Sequence, residues 1–227
     1  MSAAIEDRSR VETLEEQRHP LIRRLAHWLM AFAVLVLITS GWGIYNASPI
    51  FGFRFPNWAA LGYDVDVALA WHNDPGVASA IAWHLAAIWL LLTGFVIFLL
   101  HGLLSGHFRR DYLPVTPRGF LRDFLAAATF RLAHRLGEYN SVQKAFYLGV
   151  LLAVTMMILS GLAIWKPVQL SGLTWLFGGF QSARIIHFLF MAALSLFVIV
   201  HVALVALVPK TLVAMVTGRA TARPHGR

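Results

Sequence analysis

The residues of this chain best suited to chemistry are its histidines. There are ten, against eleven acidic residues, in a sequence that is 58% hydrophobic and only 13% charged. Five of them, His27, His84, His101, His187 and His201, stand inside long apolar runs, where an ionisable side chain is costly and needs a reason. His187 and His201 form the sharpest pair. Fourteen residues at about 100° each close to within about 40° of whole turns, so both imidazoles share one helix face, about 21 Å apart along it. Two haems stacked across a bilayer, one towards each leaflet, need such a spacing.

Depth supplies the partners of that pair. His84 follows the opening of its own apolar run by seven residues, comparable with His187. His27 lies near the start of the first run, and His201 stands seven residues before the end of the last. With runs alternating in direction, His84 pairs with His187 and His27 with His201, each pair clamping one iron between two neutral imidazoles. One membrane histidine can equally well hydrogen-bond a neighbouring helix, but four at two matched depths favour ligation. Zinc fits less well, because a structural site wants four ligands at one point.

His101 is 17 residues beyond His84, hence about 100° off that face. It lies at the depth of His27 and could replace it or help to bind a quinone. The helix end there frays, so His27 is the preferred ligand. Arg24 and Arg184 each precede a candidate ligand by one turn, where a guanidinium could reach a haem propionate or anchor the helix at the interface. Gly41, Gly43, Gly94, Gly102 and Gly161 leave room for a macrocycle or for close helix packing.

Four elements must position these groups. The windows Leu25–Tyr45, Val77–Leu104, Ala145–Trp165 and Ile185–Val208 contain no Asp, Glu, Lys or Arg, and each reaches the ~20 residues that cross a bilayer. None shows the polar stripe of a soluble helix. The first follows a mixed-charge segment without a small-residue cleavage site, so it reads as a retained helix. The predicted fold is all-α, an integral membrane four-helix bundle. Residues 1–24 form an N-terminal segment, 25–208 the four-helix domain and 209–227 a basic tail.

The net charge of +8 sits between the apolar runs rather than on a soluble face, which speaks against a nucleic-acid partner. Arg8, Arg10, Arg18, Arg23 and Arg24 precede the first window, and seven Arg or Lys lie in the 105–144 loop. Lys210, Arg219, Arg223 and Arg227 fill the tail, whereas the opposite loops hold only Arg54, Lys166 and Arg184 with Asp64, Asp66 and Asp74. The positive-inside rule then places both termini in the cytoplasm. Trp28, Trp42, Trp83 and Trp165 suit interfacial anchors. Residues 50–63 are too short to span and are expected to lie at the outer interface or to cap the bundle. Leu121, Phe124, Leu125 and Ala128 mark a short surface helix on the inner side. No internal repeat is evident.

The absence of cysteine excludes disulfides, Cys-ligated iron–sulfur clusters and thioether-bound haem. Any haem is therefore non-covalent, and any metal or cofactor must be held through His, Met or carboxylate.

Several stretches together resemble a known family. RLAHW at 24–28 with TSG at 39–41, AWHLAAIWL at 82–90, SGHFRRDYLP at 105–114 and YNSVQKAFY at 139–147 are similar to bacterial di-haem cytochromes b. So are SGLAIWKPVQL at 160–170 and ARIIHF at 183–188. That family supplies the membrane subunits of nickel–iron hydrogenases, formate dehydrogenases and thiosulfate reductases, and the thiosulfate-reductase-type branch is nearest. The resemblance covers about residues 19–220. It implies one haem ligand each on the first and second helices and two on the fourth, positions that match His27, His84, His187 and His201. It also implies a periplasmic molybdopterin oxidoreductase as partner. The segment 62–76 departs from the pattern by being longer and more polar.

The expected function is a cytochrome b of the bacterial inner membrane carrying two b haems and passing electrons between quinone and a periplasmic redox partner. The outer loops offer no Cys, phosphate loop or nucleotide motif, so no catalytic residue is assigned. The alternatives are a self-sufficient quinol-dependent oxidoreductase acting on an oxidant such as superoxide, and a haem-free transporter using the histidines as a proton relay.

Overall fold

The computed structural model describes residues 21–64, 76–106, 108, 116–129 and 140–218, the side chains of 127, 128 and 210 excepted. The described residues are helical or irregular, with no strand among them. Four helices are long and apolar enough to cross a membrane: α1 (Leu21–Ala47), α2 (Ala78–Leu104), α4 (Ser141–Trp165) and α6 (Phe180–Leu207). In lipid every backbone N–H and C=O must be satisfied within the chain, and an uninterrupted helix does so. Only 11–28% of each apolar window is buried, so most of this surface faces outwards, as lipid permits and water does not. Short helices α3 (Pro117–Ala128), α5 (Ser171–Leu176) and α7 (Pro209–Thr217) complete the chain.

The helices exceed the apolar windows because local signals set their ends. α4 begins four residues before Ala145 at a capping box. Gln143 N donates to the Asn140 side chain at 2.9 Å, and Asn140 N donates to Gln143 Oε1 at 3.2 Å. α6 begins five residues before Ile185, just after Gly178 and Gly179, whose positive φ only glycine adopts freely. It ends where Pro209, lacking an N–H, opens α7.

The chain divides into two compact units, Met1–Leu99 with Ile199–Arg227 and Leu100–Val198. In the first, α1 and α2 meet through small residues: a Cβ on Gly43 would stand 3.0 Å from Ala80 Cβ, and Ala26, Ala33 and Ser40, at seven-residue intervals on α1, are buried, as are Ala80 and Ala87 on α2. A Cβ on Gly94 would stand 2.7 Å from Met30 Cγ and 3.3 Å from the Ala26 carbonyl, so this approach requires glycine. Residues 50–63 double back along the end of α1. Asn46, fully buried, donates to the Phe55 carbonyl and accepts from Phe55 N, both at 2.9 Å. Trp42 stacks on Phe55 with centroids 4.7 Å apart, and Leu61 N donates to the Thr39 carbonyl. The expected cap is present on the C-terminal end of α1; the polar stretch 65–75 and most of the Arg-rich segments lie outside the described residues.

In the second unit α3 packs on α4. Leu121, Phe124 and Leu125 are exposed on it, as a surface helix requires, whereas Asp123 is buried and accepts from Ser141 N at 2.9 Å. A cavity of about 370 Å³ is lined by Phe120, Phe124, Phe146, Val150, Leu194 and Phe197 among others. Its walls are apolar, so it offers packing to hydrocarbon and no hydrogen bonds.

Candidate metal centres

His84 lies in the second turn of α2, half-buried against α1. Its Nδ1 is 3.0 Å from Ser40 Oγ, and that same Oγ is 2.6 Å from the Val36 carbonyl. The proton assignment follows from the inventory of donors. A carbonyl only accepts, and two oxygens 2.6 Å apart need a proton between them, so the single hydroxyl hydrogen of Ser40 goes to Val36. The Oγ then accepts from His84 Nδ1–H. The ring takes the tautomer with its lone pair on Nε2, the form in which an imidazole ligates a metal.

His187, near the start of α6, repeats this arrangement within the other unit. Its Nδ1 is 2.9 Å from Ser160 Oγ, which donates to the Met156 carbonyl at 2.6 Å. Both serines are fully buried. Each is followed by a glycine lying along the ring edge: a Cβ on Gly41 would stand 3.5 Å from His84 Cε1, and one on Gly161 3.3 Å from His187 Cε1. The pattern extends outwards at identical spacing. Ala33, Ser40, Gly41 and Gly43 on α1 correspond to Ala153, Ser160, Gly161 and Ala163 on α4. Ala80, His84 and Leu91 on α2 correspond to Ala183, His187 and Leu194 on α6, and all four flanking Ala and Leu side chains are buried. No repeat was evident from sequence because the shared residues are small, few and spread across a helix pair.

His27 and His201 meet differently. They lie near the first turns of α1 and the last turns of α6, with ring centroids 6.2 Å apart and planes inclined at 60°. At metal–nitrogen bonds of about 2 Å on each side, plus about 1 Å from each nitrogen to its ring centre, two imidazoles on one metal stand about 6 Å apart. Trp28 presents an edge to His27 at 5.4 Å. His27 is half-buried and His201 exposed.

The arginines have protein partners. Arg24 donates through Nε to the Met215 carbonyl at 3.2 Å and through Nη2 to the Val216 carbonyl, closing the C-terminal turn of α7. A propionate would share this guanidinium with those carbonyls. Arg184 donates to Gln181 Oε1 at 3.1 Å. His101 stands in the last turn of α2, half-buried. Among the described residues no three His, Asp or Glu side chains gather into a cage. Haem iron needs no such cage, since its axial ligands come singly or in pairs.

The imidazole donor set, the Nε2 lone pairs and the glycine-lined ring edges fit haem. Ser40 and Ser160 are the functional residues that sequence reasoning passed over. Their signal was the Ser–Gly step shared by the TSG and SGLAIW stretches.

Comparison with known proteins agrees with this chemistry. The sequence matches the family described as prokaryotic cytochrome b561 over residues 18–218. A putative protein-methionine-sulfoxide reductase subunit YedZ1 from Azospira oryzae is 42% identical over 201 residues, covering 88% of this chain and 96% of that relative. The resemblance to bacterial cytochromes b is borne out. With four helices of spanning length and a family match over nearly its whole sequence, the chain belongs to the prokaryotic cytochrome b561 family and is a multi-pass, haem-binding electron-transfer subunit of the bacterial inner membrane.

Proposed function

We propose that this cytochrome carries two non-covalent b haems and conducts electrons from membrane quinol to a periplasmic molybdopterin oxidoreductase. The relative's description as a putative subunit of a protein-methionine-sulfoxide reductase supports oxidised methionine in proteins as the substrate class of that partner. His84 and His187 hold an outer haem, and His27 and His201 an inner one. Both termini are cytoplasmic, with 1–24 and 209–227 flanking the membrane domain 25–208, as the Arg-rich segments require. Haem, when bound, supplies one-electron iron chemistry.

The chain's part is to bind, orient and insulate. The serine-held tautomers present Nε2 rather than N–H at His84 and His187. Apolar helices exclude water from both sites, and the lone pair left on Nε2 is the one that ligates. Arg184 and Arg24, each one turn from a ligand, offer positive charge to propionates.

The 6.2 Å approach of His27 and His201, ionisable groups on two apolar helices, supports this reading, because it matches the separation of two imidazoles on one metal. The test is a pyridine haemochrome assay of the purified protein. Two acid-extractable b haems per chain are expected. No haem, or a thioether-type spectrum, overturns the reading, and a single haem overturns the two-site scheme.

A further inference from the structure

We propose that Ser40 and Ser160 are paired positioning residues that set the electron-donating strength of His84 and His187 from their far sides. The proposal rests on the reading that these two histidines are haem ligands. It adds that the iron they hold is tuned from two different helices by one repeated device.

Each serine is fully buried and donates its only proton to its own helix, Ser40 to the Val36 carbonyl and Ser160 to the Met156 carbonyl, both at 2.6 Å. The oxygen is thereby fixed as an acceptor and cannot rotate its hydrogen towards the ring. The Leu37 carbonyl also lies 3.4 Å from Ser40 Oγ, so the serine hydroxyl faces two acceptors on its own helix, neither of which can donate. The proton between Ser40 and His84 is therefore supplied by the ring. An Nδ1–H held by an acceptor pushes electron density towards Nε2, which makes the imidazole a stronger base towards iron and favours the oxidised metal. The glycine after each serine lets the ring edge lie on the helix at the distance this bond needs.

The nearest alternative is that both serines only pack. Ser40→Ala and Ser160→Ala separate the two, because alanine keeps the small volume and removes the acceptor. The readouts are haem content and a spectroscopic redox titration of each haem in the full-length holoprotein. Both variants are expected to raise the midpoint potential of the same haem, the one absent from His84→Ala and His187→Ala, and to leave the other haem unchanged. Haem retention at that site should weaken on the order of 10- to 100-fold. Ser40→Thr and Ser160→Thr restore a hydroxyl acceptor and are expected to return potential and retention towards the parent. Full haem content with an unshifted potential in the alanine variants overturns the proposal, as does loss of the haem in the threonine variants as well. If His84→Ala and His187→Ala keep both haems, it is the ligand assignment that fails, a result distinguishable from these.

Discussion

The two kinds of histidine site in this protein are built by opposite means. Around His84 and His187 the protein specifies nearly everything: a buried serine fixes the proton, a glycine fixes the ring edge, and alanines a turn away fix the helix approach. Around His27 and His201 it specifies proximity, 6.2 Å between rings, with one partner exposed and a tryptophan edge alongside. On the proposed ligand assignment, the first device would pre-organise a ligand before any metal arrives, and the second would bring two ligands together and leave their final orientation to the cofactor. A ligand fixed in advance loses less freedom on binding and is harder to perturb from a distance, but it fails abruptly when its cradle is filled.

The largest expected effect exploits that brittleness. Gly161→Val places branched carbon where even a lone Cβ would be 3.3 Å from His187 Cε1, so the ring must move. Haem quantification should show one haem lost and the His27–His201 haem intact. Retention of both haems at parental affinity would mean that the glycine is not part of the cradle, and the contrast between the sites would weaken.

A smaller effect is expected at the other site. Arg24 closes the end of α7 and stands one turn from His27, so Arg24→Ala removes hydrogen bonds from a charged donor to two helix-terminal carbonyls. The cost is about 1–2 kcal/mol, given partial exposure. Limited proteolysis should cut within 209–218 faster, while the haem at His27 and His201 weakens only slightly. Loss of that haem together with unchanged proteolysis would assign Arg24 to the propionate instead.

The smallest effect lies outside the membrane, where α3 meets α4. The backbone N–H of Ser141 holds the Asp123 carboxyl below the ordinary carboxylate range, with the adjacent Arg122 adding to it against the opposing effect of burial. A carboxylate with a depressed folded pKa contributes stability above its unfolded value, and that contribution fades as pH falls through the folded one. The hydrogen-exchange protection factor at the start of α4 should therefore fall below about pH 4. Asp123→Asn should exchange faster already at neutral pH and show no such acid step.

Much of this was legible in the sequence. The four helices follow from apolar length, and their histidines from the cost of an ionisable group in lipid. The starts of α4 and α6 were displaced from the apolar windows because Asn140 with Gln143, and Gly178 with Gly179, act through backbone geometry rather than hydropathy. The cap over α1 was foreseen from segment length, but not that Asn46, just past the first apolar run, holds it. Ser40 and Ser160 went unnoticed because a serine in a membrane helix reads as a small packing residue. Their contact with a histidine ring appears only in three dimensions. The repeat stayed hidden for the same reason, since its information lies in contacts between helices and not in runs along them.

The central claim is that the four histidines act as two pairs. Its most direct test is the redox difference spectrum and haem count of the four single alanine variants at His27, His84, His187 and His201, with His101→Ala alongside. The account predicts that His84→Ala and His187→Ala lose the same haem, that His27→Ala and His201→Ala lose the other, and that His101→Ala keeps both. Loss of one haem in His101→Ala with both retained in His27→Ala would contradict it, as would any variant pairing His84 with His27.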